Sequence, residues 1–317
     1  MAFYDYHPTP ADVRSEVLAG LAQPVKRLPP KLFYDQEGSR LFDAITELPE
    51  YYPTRTEIGI LRRHGAEIAA WLGPDAVLIE LGSGSSLKIQ TLLAALRPRV
   101  YLPVDISRQH LRESAHALAA QFPALAIRAV CADYSVPFEL PLEPHWDHLA
   151  AFFPGSSIGN FEPADARRLL RQVAERLGDG GRLLIGVDLR KDARILDAAY
   201  NDDQGVTATF NLNLLWRINR ELDGDFDPHQ FRHRAFFNSA ASRVEMHLVS
   251  QVDQQVEIAG QGFGFARGES IHTENSYKYG IEDFRELARG AGFRPEEVWT
   301  DPDRYFSLHG LRVDDRR

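Results

Sequence analysis

The chain has 317 residues, 44% apolar and 26% charged, a globular composition with room for about two domains. A formal charge of −9 speaks against a nucleic-acid partner, whose binding draws on Lys and Arg, and the single cysteine, Cys131, excludes an internal disulfide framework. No apolar run approaches the ~20 residues of a membrane span, and MAFYDYHPTPADVRSE lacks the basic and apolar regions of a leader, so a cytoplasmic chain acting on a small molecule is expected.

In chain order, the first unusual stretch is ELPEYYPTRTE (47–57), with Tyr51 and Tyr52 between Pro49 and Pro53. It reads as a rigid loop, with the two prolines limiting its freedom and Tyr52 packing. From residue 76, short apolar runs alternate with helical patterns, the signature of βα units feeding a parallel sheet. AVLIELG (76–82), RVYLPVDIS (99–107), AIRAVCADY (126–134), HLAAFFPGS (148–156) and GRLLIGVDL (181–189) read as strands. SLKIQTLLAALRP (86–98), QHLRESAHALAAQF (109–122) and PADARRLLRQVAERLG (163–178) read as the helices between them. Cys131 lies within a strand, where a buried, inert thiol is expected.

The alternation stops after residue 190. A helical region (192–222) is followed by β-rich hairpin material in SRVEMHLVSQ, QQVEIAG, FGFARGE and SIHTENSYKY, then by a helix (281–292) and a final hairpin. The pattern predicts an α/β doubly wound core interrupted by an insertion. The core is assigned to 56–190 and 280–317, and a smaller α+β substrate-binding domain to 1–55 and 191–279.

ELGSGSS (80–86) turns the first strand into the first helix, and Gly82, Ser83 and Gly84 let the backbone pass close to a ligand at the carboxyl end of the sheet. Leu87 stands where a dinucleotide fingerprint has its third glycine, which counts against a pyrophosphate. Asp105 follows the glycines by about 20 residues, the distance at which a carboxylate accepts from ribose hydroxyls. Asp133 ends the next strand, where it can accept from an adenine amino group, and Glu80 adds a further acid. Three acids suit a cationic sulfonium nucleoside, so the expected cofactor is S-adenosylmethionine (SAM). Strand-end acids also cap helices, the competing explanation for Asp105 alone.

Beyond this loop, KLFYDQEGSRLFDAITELPEYYPTRTE (31–57), ELGSGSSLK (80–88), FPGSSIGNFEP (153–163), AYNDDQGVTATFN (199–211), VEMHL (244–248) and HTENSYKY (272–279) together resemble the L-histidine Nα-methyltransferases of ergothioneine biosynthesis, in order and over nearly the whole chain. The resemblance implies a Rossmann-like SAM-dependent methyltransferase core with a mixed seven-stranded sheet, and the conversion of free L-histidine to Nα,Nα,Nα-trimethylhistidine (hercynine) by a monomer. It places Tyr34 and Tyr51 near the substrate amine and imidazole, Asn160 and Tyr200 on its carboxylate, Glu274 and Ser276 on the imidazole, and Met246 in the pocket wall. Gly82, Lys88, Asp105, Asp133 and Tyr134 fall at cofactor-contacting positions. Two positions depart from the family pattern, Asn275 between Glu274 and Ser276, and Tyr277 after them.

Tyr34, Tyr51 and Asn160 are the residues on which catalysis is expected to rest: the tyrosines orient the amine, and the Asn160 amide stands where many amine methyltransferases place a polar group beside the transferred methyl. HQFRH (229–233) has the histidine spacing of a zinc helix but carries Gln230 where a metalloprotease has Glu, so no metal is expected. The competing functions are an Nα-methyltransferase for another amino acid or an indole amine, and a non-catalytic nucleoside-binding regulator. A nucleic-acid methyltransferase would need a basic face.

Overall fold

The computed structural model describes residues 1–84 and 87–314; Ser85 and Ser86, at the end of the glycine loop and the start of the expected helix 86–98, lie outside them, as do 315–317. In chain order the elements are β1 (Ala2–Tyr6), α1 (Pro10–Leu21), α2 (Gln36–Thr46), α3 (Tyr52–Leu72), β2 (Val77–Leu81), α4 (Leu87–Leu96), β3 (Val100–Asp105) and α5 (Arg108–Gln121). Next come β4 (Ala126–Ala132), β5 (Leu149–Phe153), α6 (Pro163–Leu177), β6 (Arg182–Asp188), α7 (Ala193–Tyr200) and α8 (Val206–Leu222). The rest are β7 (Phe231–Asn238), β8 (Arg243–Ser250), β9 (Gln254–Ile258), β10 (Gln261–Phe265), β11 (Ser270–Tyr277), α9 (Ile281–Arg289), β12 (Phe293–Thr300) and β13 (Phe306–Val313). Two compact units result: Met1–His7 with Pro53–Lys191 and Tyr277–Arg317, and Pro8–Tyr52 with Asp192–Ser276.

The first unit is built on one sheet of order β1-β4-β3-β2-β5-β6-β13-β12, parallel from β1 to β6 and antiparallel at β13 and β12. This is the Rossmann-like methyltransferase sheet, with eight strands where seven are expected. The extra one is β1, whose Ala2 to Tyr6 pair in parallel with Arg128 to Ala132 of β4, so these first residues join the large sheet instead of the segment 1–55 assigned to the substrate domain. Every residue of β2 is buried, because helices cover both faces of a parallel sheet. Val77, Ile79 and Leu81 point into one apolar layer with Leu169 and Leu170 of α6, while Leu78 enters the opposite layer with Ile60 and Leu61 of α3. The strand order reverses about β2, which has β3 on one side and β5 on the other, so the loops after β2 and β5 open at the topological switch point.

ELPEYYPTRTE is not the rigid loop expected throughout: from residue 52 onward it is helical. Tyr52 begins α3, a 21-residue helix, and Pro53 is tolerated because it occupies the first turn. On β13, His309 is wholly buried, 3.0 Å from the Ser307 hydroxyl, and burial pushes its imidazole down to about 3. The unfolded chain takes up this proton below its ordinary value of 6.5 while the folded chain does not, so stability is greatest above that value and falls as pH drops. Between pH 7.5 and 5, His309→Leu is expected to lose about 2 kcal/mol less stability than the wild type, as measured by urea unfolding.

The second unit has a three-stranded sheet of order β11-β8-β7 and the β9–β10 hairpin, with α8 as its spine. The Asp202 carboxylate opens α8 by accepting from the Val206 and Thr207 amides, each at 2.8 Å. Arg217 donates to the Leu32 carbonyl at 2.8 Å, and Asn213 to the Asp35 carboxylate at 2.9 Å. Asp35 also caps α2 through Gly38, so one acid ties the start of α2 to α8 beside Tyr34.

Candidate active site

In the first unit, the end of β2 delivers the glycine loop. Gly82 adopts φ +70°, a conformation that disfavours residues with a Cβ, and its N–H donates to Val104 at 2.8 Å. The Gly84 N–H donates to Asp105 at 3.1 Å and the Ser107 N–H at 2.8 Å, so Asp105 organises both the glycine loop and its own turn. Ser83 Oγ is buried and has no hydrogen-bond partner among the described residues. Asp133 accepts from the Ser135 N–H at 2.9 Å, and the Tyr134 ring lies over Gly82, edge-on to Phe153 at 5.5 Å. Burial raises the Tyr134 phenol, which keeps it protonated.

Burial raises the carboxyls of both Asp105 and Glu80, and that of Glu80 the more. Glu80 is completely buried and accepts the Tyr101 hydroxyl, and burial raises its carboxyl well above the ordinary range. Glu80 therefore leans towards its neutral form, and the acid trio carries less charge than the sequence suggests.

The residue that sequence reasoning missed is Glu57. It is fully buried on α3 and receives Lys88 Nζ at 2.8 Å and the Gly155 N–H at 2.9 Å. Lys88 is the expected cofactor contact on α4, and Gly155 begins the loop that holds Asn160, so one carboxylate fixes both. Gly186 leaves room for it: a Cβ there would come within 2.3 Å of Glu57 Oε1. Its partners lie 31 and 98 residues away in sequence, and the only local sign is that Glu57 closes the tyrosine motif. Glu57→Gln is expected to weaken binding of S-adenosylhomocysteine about tenfold by calorimetry. Unchanged affinity together with a lowered melting temperature would make Glu57 purely structural.

Asn160 closes a short 3-10 turn, Ser157–Asn160. The turn is held against β6 by the Asp188 N–H, which donates to Ser156 Oγ at 2.9 Å. Behind it, the Tyr277 hydroxyl donates to Glu162 and its backbone packs on Gly159, so this departure from the family pattern buttresses the Asn160 loop.

In the second unit, Tyr34 and Tyr51 join one aromatic cluster. Phe42 lies between them, edge-on to Tyr34 at 5.8 Å and to Tyr51 at 6.1 Å, and Phe210 of α8 backs the group. Tyr200 ends α7, Met246 is buried on β8, and Glu274 and Ser276 are buried two residues apart on β11, hence on one face, with Asn275 on the other. His272 precedes them on the same face and donates from Nε2 to the Glu274 carbonyl at 3.0 Å. Its ring stacks on His247 at 4.7 Å, while His247 Nε2 lies 3.1 Å from Glu245. Glu245, His247 and His272 each offer a ligand atom within 4.8 Å of the others, and Nε2 of both rings already has a partner, Glu245 for His247 and the Glu274 carbonyl for His272.

The pattern of a family described as "Histidine-specific methyltransferase, SAM-dependent" matches residues 13–313. The chain belongs to this family. It is 45% identical over 302 residues to a histidine N-alpha-methyltransferase of Mycolicibacterium smegmatis, covering 93% of each chain. It is 41% identical to the protein of the same name from Mycobacterium tuberculosis, again over 93% of each. An ergothioneine biosynthesis protein 1 of Neurospora crassa is 31% identical over 90% of this chain, which corresponds to 33% of that longer protein.

The histidine-specific methyltransferases use SAM, and the first unit fits it. The positive-φ glycine turn, the orphaned Ser83 hydroxyl and the buried Asp105 carboxylate form an acceptor-rich cradle for a cationic nucleoside. Among the described residues, no helix is long and apolar enough to cross a membrane.

Proposed function

We propose that this methyltransferase acts on the α-amino group of free L-histidine and carries it to hercynine, the first step of ergothioneine biosynthesis, as a cytoplasmic monomer. The observation that carries the reading is the buried pair Glu274 and Ser276 on one face of β11, in a chain 45% identical over its length to a histidine N-alpha-methyltransferase. Glu274 accepts an imidazole N–H, and Ser276 donates to or accepts from the other ring nitrogen, so both edges of the ring are read. Asn160 supplies an amide donor and Tyr200 a hydroxyl donor, the chemistry that a carboxylate requires.

When bound, SAM supplies an electrophilic methyl on a cationic sulfur. Gly82, Ser83, Gly84, Lys88, Asp105, Asp133 and Tyr134 are the residues that would hold it, with Glu80 behind the loop. The attacking nitrogen must be neutral, and Tyr34 and Tyr51 orient the amine as its proton leaves to solvent. Alignment itself lowers the barrier, because two held reactants behave as one molecule. Repeated methylation needs walls that tolerate methyl groups and a quaternary ammonium, a property of the aromatic faces of Tyr34, Phe42 and Tyr51.

Titration calorimetry with L-histidine in the presence of S-adenosylhomocysteine tests the reading. Saturable heat is expected, and its absence at millimolar histidine would remove histidine as the substrate.

A further inference from the structure

The histidine spacing in HQFRH does not lie on a helix: His229 is in a 3-10 turn, Pro228–Gln230, and His233 is on β7. His233 instead sits in a closed hydrogen-bond chain within the second unit. His233 Nε2 lies 2.9 Å from the Tyr200 carbonyl, and its Nδ1 lies 2.9 Å from Asn211 Nδ2. A carbonyl only accepts and an amide NH2 only donates, so the partners fix the ring as neutral, with its proton on Nε2. The other Asn211 hydrogen goes to the His247 carbonyl at 3.1 Å, and Asn211 Oδ1 accepts from Thr273 Oγ1 at 2.8 Å. Thr273 Oγ1 is also 3.1 Å from the Met246 carbonyl. Asn211 is completely buried and Thr273 nearly so, and each amide group of Asn211 is used, which prevents the amide from turning over without loss.

We propose that His233, locked by Asn211, is a positioning residue for substrate binding: it fixes the end of α7 so that the Tyr200 hydroxyl is presented to the substrate carboxylate. The proposal rests on the reading of Tyr200 given above. The same chain reaches three second-unit elements that carry substrate residues: the Tyr200 carbonyl on α7, the Met246 carbonyl on β8 and the Thr273 side chain next to Glu274 on β11. A structural histidine at the far side of the sheet would serve none of them. His233 itself touches no reacting atom, so its loss acts on binding and not on the chemical step.

The test compares His233→Phe, His233→Gln and Tyr200→Phe in steady-state kinetics with L-histidine at saturating SAM, together with S-adenosylhomocysteine affinity. His233→Phe is expected to raise the KM for L-histidine about tenfold with kcat within about twofold and cofactor affinity unchanged. His233→Gln, whose amide both donates and accepts, restores most of the KM. A wild-type KM in His233→Phe, or equal impairment of the Gln and Phe variants, overturns the proposal. Tyr200→Phe separates the two levels: a normal KM there overturns the reading of Tyr200 and the proposal with it, whereas a raised KM there and a normal one in His233→Phe overturns only the role of His233. Nitrogen-15 NMR of the wild-type histidines at pH 7.5 gives a variant-free check, with His233 as the neutral Nε2–H tautomer; an Nδ1–H tautomer or an imidazolium contradicts the proposal.

Discussion

Glu274→Ala is expected to lower kcat/KM for L-histidine about a hundredfold while leaving S-adenosylhomocysteine affinity within about twofold. The size follows from a charge-assisted hydrogen bond lost in a buried place, where the imidazole N–H can no longer pair. The selectivity of the effect follows from how β11 is held. The Glu274 backbone carbonyl accepts from His272 and the neighbouring Thr273 side chain anchors to Asn211, and neither bond uses the Glu274 carboxylate. Alanine therefore removes the reader and keeps the strand. Equal losses in histidine turnover and cofactor affinity would mean that Glu274 is structural.

A second large effect is expected on stability. Asp188, at the end of β6, receives Lys278 Nζ at 2.7 Å and Lys191 Nζ at 2.5 Å, and all three side chains are buried. Burial pushes the Asp188 carboxyl up, but the two ammonium groups outweigh it and hold it below the ordinary range. Lys191 bears the other side of the imbalance, since burial drives its amine down to about 8 despite Asp188. Asp188→Asn removes the buried carboxylate that both lysines share and is expected to cost about 3–5 kcal/mol in urea unfolding. Lys191→Met leaves the one-to-one pair of Asp188 and Lys278 and should cost much less. Similar losses in both variants would show that the second lysine does not depend on Asp188.

The parallel sheet is legible in the sequence because its strands are buried on both faces, so AVLIELG and GRLLIGVDL appear as nearly continuous apolar runs. β1 escapes such reading: AFYDY is short, largely exposed and held to β4 by backbone pairing that no local pattern announces. α3 is hidden at its start, where Pro49, the paired tyrosines and Pro53 look like a loop, although Pro53 sits within the first helical turn. β7 is obscured for a different reason. FRHRAFFN mixes charges and aromatics without clean alternation, and its histidine spacing imitates a helix.

The candidate residues follow the same division. Gly82, Gly84 and Asp105 are legible because strand, turn and strand-end acid lie within one local unit, whereas Glu57 and His233 gain meaning only from partners far along the chain. Tyr51 and Tyr52 are both buried but differ in setting: Tyr52 begins α3, while Tyr51 meets Phe42 in the aromatic cluster of the second unit. Tyr277 departs from the family pattern, yet it packs behind the Asn160 loop through Glu162.

The most direct measurement is mass spectrometry of the products formed from a panel of free amino acids incubated with SAM and the purified protein. The account predicts that L-histidine alone among the common amino acids is converted efficiently, ending at a species with three added methyl groups on the α-nitrogen. Methylation of another amino acid in preference to histidine, or of an imidazole nitrogen in place of the α-amine, would contradict it.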